Sequence, residues 1–511
     1  PIIYIDRSLT HRLVTRISRN VYEAVSSRIM MEELLLGDQP PPTSKPLKPV
    51  LVAILDVAWP SCVQNAVCTS SWLLTFVLLG HYTDETVLAG YTLSNVFCNM
   101  LGRFFMWGLA AGFDTLASQA WGAKEYRKLG LFAQRALLLL LLCVCLPLSL
   151  AWIFASPILE AIGQPRDVAR QASIFAQISL PRLYFDTATC ILQKAFFAMG
   201  KPRPVMIVSV LTEGVTIGLL VLFIAAPWFH LGLCGAALAF LISSAFSCLA
   251  TVGLALRDPD FSRCWPGFTW ESFRNWGGYL RLGAPACLML LAEALSWDAV
   301  TLLAGFCNTA TGAHRASPTD ILAAQGLLTG TIAFTYCVPM AIGKGISTVV
   351  GNAVGMGDKM RAARASRFGL EVGLIAVASL VGTLVFLRVQ VVELYAAPAA
   401  VAKIVVDLLP CVAAFLFADG MQMCLSGTIT GAGKQGVTMP ILVVSYWVLG
   451  LPLGALFALR WPELGLLGLW IGMTLAVYVH FGSYLLLCFC PCVPHAVRWE
   501  AVLEEARQRL A

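Results

Sequence analysis

Long apolar segments follow one another from residue 50 to residue 490, and they constrain this chain more than any other feature. A helix that crosses a bilayer needs roughly 20 mainly apolar residues. Twelve candidate segments reach that length, near 50–79, 87–120, 129–155, 168–199, 204–227, 233–256, 276–306, 320–352, 366–392, 400–430, 436–459 and 464–490. Only 13% of the residues are charged, about half the share in a soluble domain, and mean hydropathy is +0.76. No soluble core absorbs that much apolar sequence, so lipid is the solvent. The fourth segment is the weakest, because Arg182, Asp186 and Lys194 interrupt it.

Lysine and arginine set the orientation. The ends and alternate loops (1–49, 121–135, 200–203, 257–281, 353–367, 431–435 and 491–511) carry 25 of them, against 6 on the other side. Both termini are therefore expected in the cytoplasm, which requires an even number of spans. The net charge of +6 follows from this bias and does not indicate nucleic-acid binding. The first 49 residues are polar and the first apolar segment is too long for a signal peptide, so no cleavable leader is expected.

The two halves repeat each other. Shifted by 225 residues, Pro60 falls on Pro285 and Ser71-Trp72 on Ser296-Trp297. Shifted by 233, Thr115 falls on Thr348, Asp186 on Asp419, Gly200-Lys201 on Gly433-Lys434 and Gly235 on Gly468. The change of offset lies at 307–320, which reads as an inserted loop. Six spans per repeat is an even number, so the halves share one orientation. The fold expected is all-α, with twelve transmembrane helices in two parallel repeats and a substrate path between them. The divisions are 1–49 (tail), 50–256 (first half), 257–281 (linker), 282–490 (second half) and 491–511 (tail).

Against that repeat, the ionisable residues stand out as functional candidates. Glu293 and Asp298 lie mid-segment where the first half has Cys68 and Leu73. Asp419 lies mid-segment too, opposite Asp186. The second half thus shows three mid-membrane carboxylates and the first half one. A carboxylate taken out of water favours its neutral, protonated form, and a second carboxylate beside it strengthens that preference. Glu293, Asp419 and Asp298 are the candidate cation site. Asp186 is secondary, since Arg182 one turn away can pair with it. Lys344 is also secondary. Its repeat counterpart is Ala111, and it either holds a carboxylate ionised or extends toward the cytoplasmic face. Trp72 and Trp297, with Gln64 and Asn65, are candidates for the cavity wall; Trp107 and Trp447 are weaker ones. The 17 cysteines and six histidines show no metal-ligand spacing, and no GxxxxGK[ST] phosphate loop is present. No enzyme, metal or cofactor is expected. The partners are a small-molecule substrate and the bilayer, with the chain working as a monomer.

Three stretches together resemble the multidrug and toxin extrusion (MATE) family, in its eukaryotic form. They are GLAAGFDTLASQAWGAKEYRKLG (108–130), APACLMLLAEALSWD (284–298) and FADGMQMCLSGTITGAGKQ (417–435), with LGLCGAALAF (231–240) in support. The resemblance implies two six-helix lobes forming a V, and cation-driven alternating access. It implies a cation site in the second lobe at Glu293, Asp298 and Asp419, with a proton as the coupling ion and sodium as the second candidate. It implies export of organic, cationic or xenobiotic small molecules across the plasma or vacuolar membrane. Two departures stand out. Some members carry an acid inside the first helix, where this chain has Gln64 and Asn65; and Lys344 falls where the family is usually small. The alternatives are a lipid-linked oligosaccharide flippase of the same broad superfamily, and a membrane scaffold without transport. A major-facilitator fold ranks lower, because AWGAKEYRKLG is not its GxxxDRxGRR-type loop.

Overall fold

The computed structural model describes residues 49–510, apart from Pro227, His230, Pro266, 307–309, 312–313, 316, Ala396 and Pro462. The expected tail over 1–48 lies outside the described residues, and so does part of the 307–320 loop. Within that loop Ala310–Thr311 pairs antiparallel with His314–Arg315.

Eleven of the described helices are long and apolar enough to cross a membrane. They are α1 (Val50–Tyr82), α2 (Glu85–Gly122), α3 (Tyr126–Ile153), α5 (Pro202–Ala225), α6 (Gly232–Arg257), α7 (Trp276–Ala304), α8 (Thr319–Gly355), α9 (Lys359–Phe386), α10 (Ala399–Ala432), α11 (Gln435–Arg460) and α12 (Gly465–Phe489). The twelfth, α4, comes in two pieces, Arg166–Ile178 and Leu180–Ala198, that meet at Ser179. It misses the apolarity of the others because of its charges, and those of its second piece, Arg182, Asp186 and Lys194, are paired inside the bundle. Arg182 Nε lies 3.1 Å from Asp186 Oδ2, Ser244 Oγ donates to Asp186 at 2.6 Å, and Lys194 pairs with Asp114 of α2. A short C-terminal helix, α13 (Trp499–Leu510), completes the described chain.

The repeat is visible in where the helices depart from ideal geometry. Pro60 lies inside α1 and Pro285 inside α7. A π-helical turn at Asn99–Arg103 interrupts α2, and α8 breaks at Tyr336, the repeat counterpart of Arg103. α5 and α11 each contain a π-helical stretch, Val221–Ala225 and Val443–Gly450. Such bulges free backbone groups at functional positions and persist in lipid only where neighbours re-satisfy them.

The halves meet at the basic-loop end. A Cβ on Gly122 would overlap the Asn352 carbonyl, one on Gly355 the Gln119 carbonyl, and one on Gly351 the Ser118 side chain. The backbones of α2 and α8 are therefore as close as glycine permits. Thr115 Oγ1 donates to the Thr430 carbonyl at 2.6 Å, and Gln119 Nε2 to that of Gly431 at 3.1 Å. Tyr279 of α7 donates to the Leu109 carbonyl at 2.8 Å. Toward the opposite end the cores separate. Leu79, Tyr91, Phe175 and Ile224 pack within the first half, and Val300, Leu328, Phe415 and Trp470 within the second. The lobes thus form a V closed at its basic end.

Candidate functional site

The repeat supplies the frame for the site: six helices surround the interior of each half, and five of them in the second half carry ionisable side chains within electrostatic range of Glu293 or Asp419. Glu293 comes from α7, two turns beyond Pro285, whose ring interrupts that helix's hydrogen-bond ladder. Asp419 comes from the middle of α10 and is almost fully buried, at 4% exposure. Glu293 is half-buried and within electrostatic reach of Asp419. Tyr336, at the break in α8, and Tyr446, in the π-helical stretch of α11, lie within electrostatic range of both acids, and Tyr484 of α12 within that of Glu293.

The contacts around the acids are weak ones. Gln422 Nε2 is 3.4 Å from Asp419 Oδ1. The Tyr336 hydroxyl points at Met423 Sδ (3.1 Å), and Thr438 Oγ1 and the Tyr484 hydroxyl at Met289 Sδ (3.4 and 3.6 Å). His480 sits edge-on to Tyr484 at 4.4 Å and to Tyr446 at 5.6 Å, buried, with neither ring nitrogen hydrogen-bonded among the described residues. Among those residues no lysine or arginine pairs with Glu293 or Asp419. Among the described residues there is no group of three or more His, Cys, Asp or Glu side chains placed to hold a metal.

The other sequence candidates are dispersed. Asp298 is exposed, further along α7 from Glu293. Asp186 is tied up by Arg182 and Ser244, as described above. Trp297 packs against Phe415 at 5.3 Å and Trp470 at 5.9 Å, inside the second core. Trp72 is 43% exposed and edge-on to Phe76. Trp107 is exposed, and Trp447 donates to the carbonyl of Ala292, next to Glu293, at 3.0 Å. Gln64 Nε2 donates to Gln193 Oε1 at 3.0 Å, while Gln64 Oε1 and Asn65 Nδ2 are buried without partners among the described residues. Lys344 pairs with no described carboxylate; its ammonium crosses to the first half, 5.4 Å from the centre of the Phe197 ring, near the basic-loop end of α4.

The count of one mid-membrane acid in the first half needs correcting. Glu213 lies in the middle of α5 at 6% exposure, and Asp114 lies within α2. Glu213 Oε1 accepts from the backbone N–H of Ser71 at 2.8 Å and from Ser70 Oγ at 3.1 Å, so it is tied to α1 rather than standing free. The signal was available: Glu213 is an acid inside an apolar segment, and its repeat counterpart is Tyr446, beside Glu293.

Comparison with known proteins agrees with the fold. A sequence model of the MatE family matches residues 60–222 and 301–456, once in each half. Protein DETOXIFICATION 41 of Arabidopsis thaliana is 27% identical over 450 residues, covering 86% of this chain and 84% of that one. Multidrug and toxin extrusion protein 2 of Mus musculus is 28% identical over 464 residues, covering 89% and 76%. The crystal structure of the eukaryotic MATE transporter AtDTX14 superposes with a TM-score of 0.81 at 25% identity, over 90% of this chain and 99% of that one. With twelve helices in two repeated halves and the family pattern in each, the chain belongs to the MatE family and is a eukaryotic-type MATE transporter.

Proposed function

We propose that this protein is a secondary active antiporter that exports organic small molecules in exchange for protons, by alternating access between its halves. The observation that carries this is the placement of Glu293 and Asp419 within electrostatic reach of each other inside the second half, with no paired lysine or arginine among the described residues. A protonated site favours one packing of that lobe and a deprotonated site another. A substrate that binds the second packing better is then exchanged for protons, since a ligand shifts an equilibrium only through differential affinity. The excess of lysine and arginine puts the basic end and both termini in the cytoplasm, so the V opens outward. The protein acts as a monomer in the plasma or vacuolar membrane.

Proton-driven efflux from proteoliposomes tests the assignment. Glu293→Gln imitates the protonated acid and should abolish gradient-driven export in a protein that still folds. Asp419→Asn should do the same or shift the pH profile. The acids act as a unit, so the double variant should be little worse than Glu293→Gln alone. Full activity with an unchanged pH profile in Glu293→Gln would end the assignment, and flux that follows a sodium gradient instead would replace the coupling ion.

A further inference from the structure

Lys344 is the positive charge that the coupling site does not use. It lies on α8 about two turns, or about 10 Å of helix axis, before Gly351, where α2 and α8 seal the basic end. Its neighbours Gly343 and Gly345 are pressed against the Met423 and Ile54 carbonyls, which fixes the direction left for the side chain. That direction leads across the lobe boundary to Phe197, and to the electrostatic neighbourhood of Lys194, Asp114, Cys190 and Cys68. The acids of that region are already engaged: Asp114 by Lys194, Glu213 by Ser70 and Ser71. One ammonium is left over. A partly buried ammonium within a membrane-spanning helix, with no carboxylate paired to it among the described residues, is costly and is a functional candidate. The repeat counterpart Ala111 shows that helix packing at this position needs no charge.

We propose that Lys344, backed by the Lys194–Asp114 pair, receives an anionic group of the transported molecule, a carboxylate on an organic acid, with Phe197 as an adjoining aromatic surface. The site lies about two helical turns from the α2–α8 seal, on the side away from the basic loops. A carboxylate there gives Lys344 the partner it lacks among the described residues. This deepens the transport function proposed above and rests on it for the word transported; the binding itself does not depend on the coupling acids.

The test uses the full-length purified protein, with 4-coumarate as the carboxylate probe and tetraethylammonium as the cation probe. Binding is read from thermal-shift titration and transport from counterflow in proteoliposomes. The expected result is that 4-coumarate raises the Tm of the wild type and that Lys344→Gln weakens its apparent affinity ten-fold or more. The ratio of 4-coumarate to tetraethylammonium flux should fall by a similar factor. Lys344→Arg, which keeps the charge, should stay within about three-fold of the wild type and controls for folding. A wild type that does not bind 4-coumarate, or a Lys344→Gln affinity within two-fold of it, overturns the proposal. So does a response of the same size to chloride alone, which would assign the site to an inorganic anion. Should Glu293→Gln keep full proton-driven flux while Lys344→Gln still loses 4-coumarate, the coupling assignment fails and this one stands.

Discussion

Residue by residue, the membrane-embedded acids differ in how firmly their neighbours hold them. Asp186 is held by Arg182 and Ser244, so Asp186→Asn should leave most cation-driven transport intact; a loss equal to that of Glu293→Gln at normal surface expression would show that both halves titrate. Glu213 supplies an acceptor to the Ser71 N–H. Glu213→Leu should remove the bonds to Ser71 N–H and Ser70 Oγ at a cost of about 1–3 kcal/mol, whereas Glu213→Gln keeps an acceptor and should cost less. Thermal-shift measurements on the two variants check the order. Outside the membrane, Asp258 shows the same competition. Burial alone would push its carboxyl up, but hydrogen bonds from Lys201 and from the Phe261 and Asp260 N–H groups outweigh it and hold the value below normal. The stability this contributes is present above the unfolded value of about 3.9 and is lost as pH falls through the lower native value. Asp258→Asn should flatten that acid limb of the Tm profile, and Asp258→Ala should also remove the cap of the Pro259–Cys264 helix, at about 1 kcal/mol.

Among the elements, α13 links the two halves. Val502, Ala506 and Leu510 are buried along one face, Leu510 in the first-half core and the other two against α8 and α9. Arg509 donates to Gln119 Oε1 in the first half (3.3 Å) and to the Gly433 carbonyl in the second (3.2 Å). Its guanidinium fills the space that a Cβ on Gly433 would need, at a left-handed φ of 73°. Glu505 pairs with both Lys434 and Arg509. Removing residues 499–511 should loosen the basic end. A cysteine placed at Ser118, buried opposite Gly351, should then react faster with an impermeant maleimide applied from the cytoplasmic side; an unchanged rate would show that the α2–α8 contact holds the end closed unaided.

For the molecule as a whole the prediction is topological. The loop 257–281 and both termini should be reached only from the cytoplasmic side in a cysteine-accessibility map. Labelling of 257–281 from outside would overturn the orientation together with the direction in which the V opens. The helix count, the repeat and the weakness of the fourth span were legible in the residues, because spanning length and the cost of buried charge are local properties. Which charges neutralise α4 was half legible. The Arg182–Asp186 pair is one helical turn apart, while Lys194 and Asp114 are 80 residues apart and meet only through the packing of α4 on α2.

Hydropathy, charge bias and spacing are read along the chain. They were enough to establish about twelve membrane crossings in two parallel halves, and to pick out Glu293 and Asp419 as breaks in the apolar rule of the second. The packed bundle was needed to learn that the two acids share one interior with Tyr336, Tyr446 and Tyr484, that Asp298 is exposed, that Glu213 is hydrogen-bonded to α1, and that Lys344 crosses to the other lobe. Each of these depends on which faces of distant helices meet. Side-chain direction on a helix changes by about 100° per residue, so positions a few residues apart in one apolar segment point to different neighbours, and helix packing selects among them.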